Sequence, residues 1–334
     1  MLTAERVEVR GPGFGEWYRV HREAQDEGRA YPVTWSQEEM FVSLSRVDGY
    51  WEREIWAVRD DAGAIAGTLL LAFPMSDNTS RVEAGIGVRA DVRRRGYGAA
   101  LARTAEERAT EYGRTVVVSA LPVPFDAVGD TPGQAFARRF GLSVANVEVH
   151  RVLELPLDEG LLDELAQEAA RYHEGYELRS WQDRCPEDLI DAYAALQATF
   201  NLEAPQGELE VEAQAYDAAR VRSTEDHSLE QGRHGWMTVA IAPDGTLAGH
   251  TELYHGENDP GNVYQWGTLV SPAHRGHRLG LALKVRNHRE LQRSRPQPLV
   301  AHTFNAETNT AMNAVNARLG FRPVERAEEW QRKN

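Results

Sequence analysis

The sequence predicts two tandem α/β units, and three observations carry that prediction. The chain has 334 residues, more than a single hydrophobic core usually fills. Its two halves repeat one pattern at a nearly fixed offset, and such self-similarity marks a duplicated architecture. Within each half, short apolar runs suited to strands alternate with segments of helical periodicity.

The elements follow in the same order in both copies. An early strand is expected near residues 7–10 and again near 176–181, followed by helical segments such as 189–202. Residues 56–67 and 238–249 each read as an apolar run, a turn holding Asp and Gly, and a second apolar run. That is the signature of a hairpin. Gly63 and Gly245 stand 182 positions apart, as do Gly67 and Gly249. A strand ending at Val88 or Val270 then enters a Gly-containing turn, where Gly98 and Gly280 keep the offset of 182. Helices come next: Leu101, Ala105, Ala109 and Tyr112 recur at helical spacing in one copy, Leu281, Val285, His288 and Leu291 in the other. Strands at 115–120 and 298–304, a short helix and a closing strand complete each copy. Gly141 and Gly320 are 179 apart, so three residues are lost where the first copy carries Pro122, Pro124 and Pro132. The expected division is 1–157, a helical acidic connector at 158–174, and 175–334.

Composition narrows the function. The formal net charge is −14, which argues against nucleic acid, since phosphate-backbone binding runs on clustered cations. An acidic field instead favours the approach of a cationic small molecule. One cysteine, Cys185, excludes an internal disulfide framework and a Cys-based zinc site and suits a reducing compartment. The eleven His show no metal-ligand spacing, so no metal is expected. The apolar stretch 64–73 is about half of the roughly 20 residues a membrane helix needs, and residues 1–10 carry charges where a secretion signal needs an apolar core. The expectation is a cytoplasmic protein without a membrane partner, monomeric or homodimeric.

A strand running through a Gly-rich turn into a helix gathers unpaired N–H groups at the positive end of the helix dipole, a site for phosphate or pyrophosphate. Gly96 and Gly98 allow close approach and positive φ, and Arg93, Arg94 and Arg95 offer charge-assisted bonds. An ordinary strand-to-helix turn with solvated arginines is the competing interpretation; recurrence of Arg and Gly in register in the second copy favours the site. The segments 88–99 and 270–281 resemble the acetyl-CoA motif Arg/Gln-x-x-Gly-x-Gly/Ala of the Gcn5-related N-acetyltransferase (GNAT) superfamily. Arg93, Gly96 and Gly98 match it fully; Arg275 and Gly280 match, but Arg278 stands where the middle Gly belongs. The second copy also resembles the family at Pro272, at Arg275-Gly276, and in Asn305 to Asn309 leading to Leu319-Gly320-Phe321.

The resemblance covers both halves and implies a tandem acetyltransferase of a kind common in actinobacteria, with a mixed α+β sheet that splays beside the motif strand. It implies acetyl-CoA as cosubstrate, with pantetheine held by backbone at Ile86 to Val88 and at Thr268 to Val270. The pyrophosphate would lie on Arg93, Arg94, Arg95, Gly96, Tyr97, Gly98 and Ala99, or on Arg275, Gly276, His277, Arg278, Leu279 and Gly280, with Asn305 and Asn309 nearby.

Acetyl transfer to an amine requires an ammonium of pKa about 10.4 to lose a proton, a donor for the oxyanion, and departure of a thiolate. The tyrosine acid usual in the family is replaced by Ala137 and Asn316. Two bases are candidates. Glu83 lies on the first motif strand, with Gln265 as its counterpart; His250, Glu252 and Tyr254 share one strand face in the second copy, opposite Thr68, Leu70 and Ala72 in the first. Each also reads as a structural feature, a solvated strand-end carboxylate or a hydrogen-bonded stripe. The expectation places the acceptor, a small-molecule or protein amine, in the second copy with Glu252 as base beside Tyr254. The alternatives are catalysis in the first copy through Glu83, and a non-catalytic acyl-CoA-binding protein.

Overall fold

The computed structural model describes residues 2–333. In chain order the elements are β1 (Glu5–Arg6), α1 (Phe14–Asp26), α2 (Gln37–Ser45), β2 (Trp51–Arg59), β3 (Ile65–Pro74), β4 (Arg81–Val88), α3 (Tyr97–Glu111), β5 (Val116–Pro124), α4 (Pro132–Arg139) and β6 (Ser143–Leu155). The second copy supplies α5 (Glu159–Ala170), β7 (Glu177–Gln182), α6 (Ile190–Ala198), α7 (Phe200–Glu203), α8 (Ala218–Glu230), β8 (Arg233–Ile241), β9 (Leu247–Gly256) and β10 (Asp259–Val270). It ends with α9 (Leu279–Ser294), β11 (Leu299–Ala306), α10 (Thr310–Leu319) and β12 (Arg322–Lys333). The mixed α/β class expected from the sequence is the class found.

Local chemistry sets the boundaries. Ser36 and Glu39 form a capping box at the start of α2, and Thr131 with Gln134 forms another at α4, where Pro132 occupies the first turn. Asp158, Asp217 and Asn309 cap α5, α8 and α10. The two hairpin turns use one device. Asp60 accepts from the N–H of Ala62 and Ala64, and Asp244 from that of Thr246. Gly63 and Gly245 take φ of 82° and 86°. The early strand is shorter than expected: Gly11 N–H turns back to Glu8 O and Phe14 N–H to Gly11 O, bending the chain into α1 before residues 8–10 can pair.

Two compact units result, and they do not follow chain order. The first comprises Met1–Val147, Gly207–Glu210 and Glu325–Asn334; the second comprises Glu148–Gln206 and Val211–Val324. The strand order in the first is β1-β2-β3-β4-β5-β12, and in the second β6-β11-β10-β9-β8-β7. The last strand of the first unit is thus β12, antiparallel to β5 over residues 325–333, while β6 runs antiparallel to β11 over 148–155 in the second. Each unit takes its closing strand from the other copy's sequence. The helix expected as a connector, α5, sits in the second unit's core through Leu162, Leu165 and Ala169.

In the first unit α3 covers one sheet face with Leu101, Ala105 and Ala109 against Leu69, Leu71, Phe73 and Val82. On the other face α1 and α2 pack Trp17, Val20, Met40 and Leu44 on Ile55, Ala57 and Ile65. The second unit repeats this, with α9 and α5 on one face and α6 and α8 on the other. Among the described residues no helix is long and apolar enough to cross a membrane.

Candidate functional site

Both motif strands lose a neighbour halfway along. The parallel pairing of β4 with β5 runs only through Arg81↔Val116, Val82↔Val117 and Glu83↔Val118. That of β10 with β11 ends at Tyr264↔His302. On their other edges β4 and β10 stay paired to β3 and β9 up to Val88 and Val270. Arg89 N–H bonds Ala66 O at 3.0 Å, and Ser271 N–H bonds Ala248 O at 2.9 Å. Antiparallel alternation therefore turns the main-chain groups of Ile86 and Val88, and of Thr268 and Val270, into the gap. A bulge between Gln265 and Thr268 adds to the irregularity in the second unit.

The turns beyond these strands are equivalent in backbone and opposite in sequence. In the first, Arg94 and Gly96 have φ of 66° and 93°; in the second, Gly276 and Arg278 have 88° and 51°. Each copy puts one Gly and one Arg in its two left-handed positions, in reversed order. Arg278 is therefore no break in the turn; it adopts the conformation the missing Gly would have supplied. Neither α3 nor α9 has a side-chain N-cap, so their first N–H groups are unsatisfied. The side chains of Tyr97 and Leu279 are buried in the cores, leaving only their main chain for a ligand.

The cations differ in availability. Arg93 donates to Val88 O at 3.1 Å and pairs with Glu27; Arg275 donates to Val270 O at 3.4 Å and to Glu203 at 2.6 Å. Both brace the turn. Arg278 pairs with Glu168 and lies over the Tyr172 ring, and His277 bonds Tyr172 O. Arg94 and Arg95 make no hydrogen bond or ion pair among the described residues, so the first turn keeps two cations for an anion. Gly98 has a steric reason: a Cβ there would come within 2.9 Å of the Phe136 ring, whereas at Gly280 it would find nothing closer than 3.9 Å.

Asn305 and Asn309 have structural partners. Asn309 caps α10 by accepting from Met312 N–H, and Asn305 accepts from Asn316 Nδ2 at 2.6 Å. Asn316 in turn accepts from Lys284 Nζ at 2.7 Å. Lys284 is fully buried, and that burial lowers its pKa to about 7. A lysine in an otherwise regular amphipathic helix gave no signal in the sequence.

His250 and Glu252 come together as strand alternation predicts, 3.3 Å apart. Glu252 also accepts from Tyr193 at 2.7 Å and from Gln197, both on α6, and is 7% exposed. Burial raises its pKa, but the neighbouring His250 and these donors outweigh it and hold the carboxyl below its usual value. Tyr254 is buried beside it, its ring 4.2 Å from that of Trp266. Tyr193 and Gln197 were not anticipated. Both hydrogen bonds and the His250 contact fall on Glu252 Oε1, and neither His250 ring nitrogen makes a hydrogen bond.

The same sheet face in the first unit is open. A cavity of about 360 Å³ lies between the sheet and α1–α2, walled by Trp35, Met40, Leu44, Trp51 and Leu70, with His21, Arg53 and Glu83 among its polar groups. Glu83 stands on the last pair before β4 and β5 part. It is crowded by protein, yet 42% of its side chain is reached by solvent. Crowding raises its pKa, opposed by Arg81, 2.9 Å away, and by Arg53. His21 is pushed down to about 4 by burial and is neutral at pH 7. Among the described residues no group of three or more His, Cys, Asp or Glu is placed to hold a metal ion.

Comparison with known proteins agrees with this geometry. Residues 17–141 match the sequence model of the acetyltransferase (GNAT) family. A tandem GNAT protein from the clavulanic acid biosynthesis pathway, solved without acetyl-CoA, superposes with a TM-score of 0.80 at 27% identity, covering 100% of this chain and 98% of its own. A GCN5-related N-acetyltransferase from Sphaerobacter thermophilus gives 0.68 at 15% identity over 99% and 95%. A GCN5-related glucosamine N-acetyltransferase region of a fungal multi-domain GH3 β-N-acetylglucosaminidase gives 0.71 at 14% over 99% and 38%. These last two bear on the fold alone. No curated protein matches the sequence. Residues 17–141 thus match the GNAT acetyltransferase family, and the chain as a whole is similar to a tandem GNAT protein, with the splayed sheet and the turn present in both units.

Proposed function

We propose that the protein transfers an acetyl group from acetyl-CoA to an amine by direct attack, with the acceptor in the first unit and Glu83 as general base. The observation that carries this reading is the position of Glu83: at the fork of the splay, with its carboxylate open to a 360 Å³ cavity. That volume lies in the range of small-molecule sites. The sequence favoured Glu252, but that carboxylate is 7% exposed, is engaged at Oε1 by Tyr193, Gln197 and His250, and is held below its usual pKa, which weakens it as a base.

The gap beside β4 suits the cosubstrate. Main-chain groups of Ile86 and Val88 face it, and the first turn adds the uncapped start of α3 with Arg94 and Arg95. Acetyl-CoA, when bound, supplies an acyl group activated as a thioester. The chain's own residues do the rest. Glu83, its pKa raised by crowding toward the working pH, takes the proton of the acceptor ammonium directly or through water. Gap-facing N–H groups are fixed donors for charge that develops on the carbonyl oxygen. Ala137 donates no proton, and a thiol of pKa about 8.5 leaves tolerably as the thiolate. A covalent route through Cys185 is disfavoured: the thiol is buried in the second unit and raised to about 12.

The reading keeps the sequence limits 1–157, 158–174 and 175–334 as those of the duplicated segments and a cytoplasmic location. Free thiol release with acetyl-CoA and a panel of amines tests it. Glu83→Gln should abolish turnover while acetyl-CoA still binds, and Glu252→Gln should keep it. The opposite pattern moves catalysis to the second unit. Binding of acetyl-CoA without turnover on any amine makes the protein an acyl-CoA-binding scaffold.

A further inference from the structure

Three strands bring two opposite charges to one row of the open face. Arg53 on β2 is paired with Ala72 on β3, and Ala72 with Glu83 on β4. At about 4.8 Å per strand, the outer two backbones stand about 10 Å apart, and only a methyl group lies between them. The guanidinium and the carboxylate face a shared space without forming an ion pair with each other.

Arg53 is the unusual member. It makes no hydrogen bond or ion pair among the described residues; its guanidinium lies against the Trp51 ring, 5.4 Å from the centroid. The groups that could neutralise it are engaged. Asp48 accepts from Arg46 and from the N–H of Tyr50 and Trp51, and Glu83 is held through one oxygen by Arg81. His21, also in the wall, is neutral. A crowded guanidinium without an anion is costly, and its planar fork matches a carboxylate. The second unit offers a comparison. At 182 positions on, Arg53 becomes Gly235, Ala72 becomes Tyr254 and Glu83 becomes Gln265. Both charges vanish together, and the Tyr254 ring lies where a Cβ on Gly235 would be, 2.9 Å away.

We infer that the acceptor is zwitterionic: an amino acid with an apolar side chain, its carboxylate on Arg53, its amine at Glu83 and its side chain against Trp35, Met40 and Leu44. The inference rests on the reading that the Glu83 cavity is the acceptor site, and it names the substrate class of that site.

The test compares L-leucine, L-methionine and L-phenylalanine with the amines obtained by removing their carboxylates, isopentylamine, 3-(methylthio)propylamine and phenethylamine. The readout is thiol release from acetyl-CoA. At least one amino acid should exceed its amine in kcat/KM by about tenfold or more, the scale of a charge-assisted pair. Arg53→Gln should bring that ratio to about one, and Arg53→Lys should restore part of the preference. Turnover of the amines with no preference for any amino acid, or a preference that survives in Arg53→Gln, overturns the inference while leaving acyl transfer standing. If no thiol is released, tryptophan fluorescence reports binding directly, since Trp35 and Trp51 line the cavity. Amino-acid binding that Arg53→Gln abolishes then supports the zwitterion site against the transfer reading, and no binding of any amino acid overturns it.

Discussion

Lys284→Met is expected to stabilise the second unit at neutral and acidic pH and to lose that advantage in alkali. Lys284 is fully buried on α9, with Asn316 Oδ1 at 2.7 Å and the Phe321 ring 5.5 Å away. Burial lowers its pKa from 10.5 to about 7. The unfolded chain therefore binds this proton more tightly than the folded one, and stability rises with pH between about 7 and 10.5. Below 7 the whole penalty is present. At about 1.4 kcal/mol per pH unit, a gap of this size withholds of order 4–5 kcal/mol. Methionine has a similar shape and no charge, but it leaves buried Asn316 Oδ1 without its donor, which costs about 1–3 kcal/mol. The net expectation is a gain of about 1–4 kcal/mol at pH 6 that vanishes or reverses by pH 10.

Urea unfolding of the full-length chain at pH 6, 8 and 10 measures this, with amide exchange at pH 6 to locate any gain in α9. Wild-type stability that is flat from pH 7 to 10, or a variant destabilised equally at pH 6 and 10, would refute the reasoning. Either result would mean that the ammonium reaches water or an anion from inside the fold.

Other outcomes follow from the same packing. His288, one turn further along α9, is buried with neither ring nitrogen bonded and is held down to about 3. The folded state resists its protonation, so stability falls as pH drops from 6.5 toward 3, and His288→Leu should flatten that limb in acid-unfolding curves. Glu83→Gln should lower turnover by about 10²–10⁴ and remove the acidic limb of the kcat/KM profile. In the wild type that limb should lie above 4.5, because crowding raises Glu83. Gly235→Ala places a methyl within 2.9 Å of the Tyr254 ring and 3.0 Å of Met237 Sδ; it should cost about 1–3 kcal/mol of stability without changing the rate of thiol release below the melting transition.

What the sequence disclosed depended on how local its cause was. The hairpins at Gly63 and Gly245 and the turns at Gly96 and Gly276 are short-range, so a 182-residue register recovered them. That register also paired His250, Glu252 and Tyr254 with Thr68, Leu70 and Ala72, the divergence that separates the two faces. Carried on to Arg53 and Gly235, the same offset exposes the charged row. The closing strands were beyond reach: β12 is mostly charged, with Val324, Ala327 and Trp330 spaced by three, and nothing local in it or in β6 says which sheet each one joins. Which carboxylate is open was equally hidden. Glu252 is closed by Tyr193 and Gln197, about 55–60 residues earlier on α6, and Glu83 is left open by the smallness of Ala72 and the course of α1 and α2.

The two faces show how a carboxylate in a sheet can be kept in two states. Glu252 is largely taken from water, and Tyr193 and Gln197 donate to its Oε1 with His250 beside it, which ties α6 to the sheet. Glu83 receives one arginine and a cavity, and Arg53 beside it receives an aromatic ring and no anion. Leaving two opposite charges crowded and unjoined is the less stable arrangement, because a direct pair or an apolar filling would each relieve it. The second unit has the filling, with Gly235, Tyr254 and Tyr264 along the corresponding row. A strained, open pair persisting in the other unit is the pattern expected where a ligand completes the electrostatics, since real proteins depart from local consistency chiefly at sites that bind or react. On that argument a zwitterion entering the first unit relieves both charges at once, and Arg53→Gln should raise the stability of the unliganded protein while weakening its grip on an amino acid.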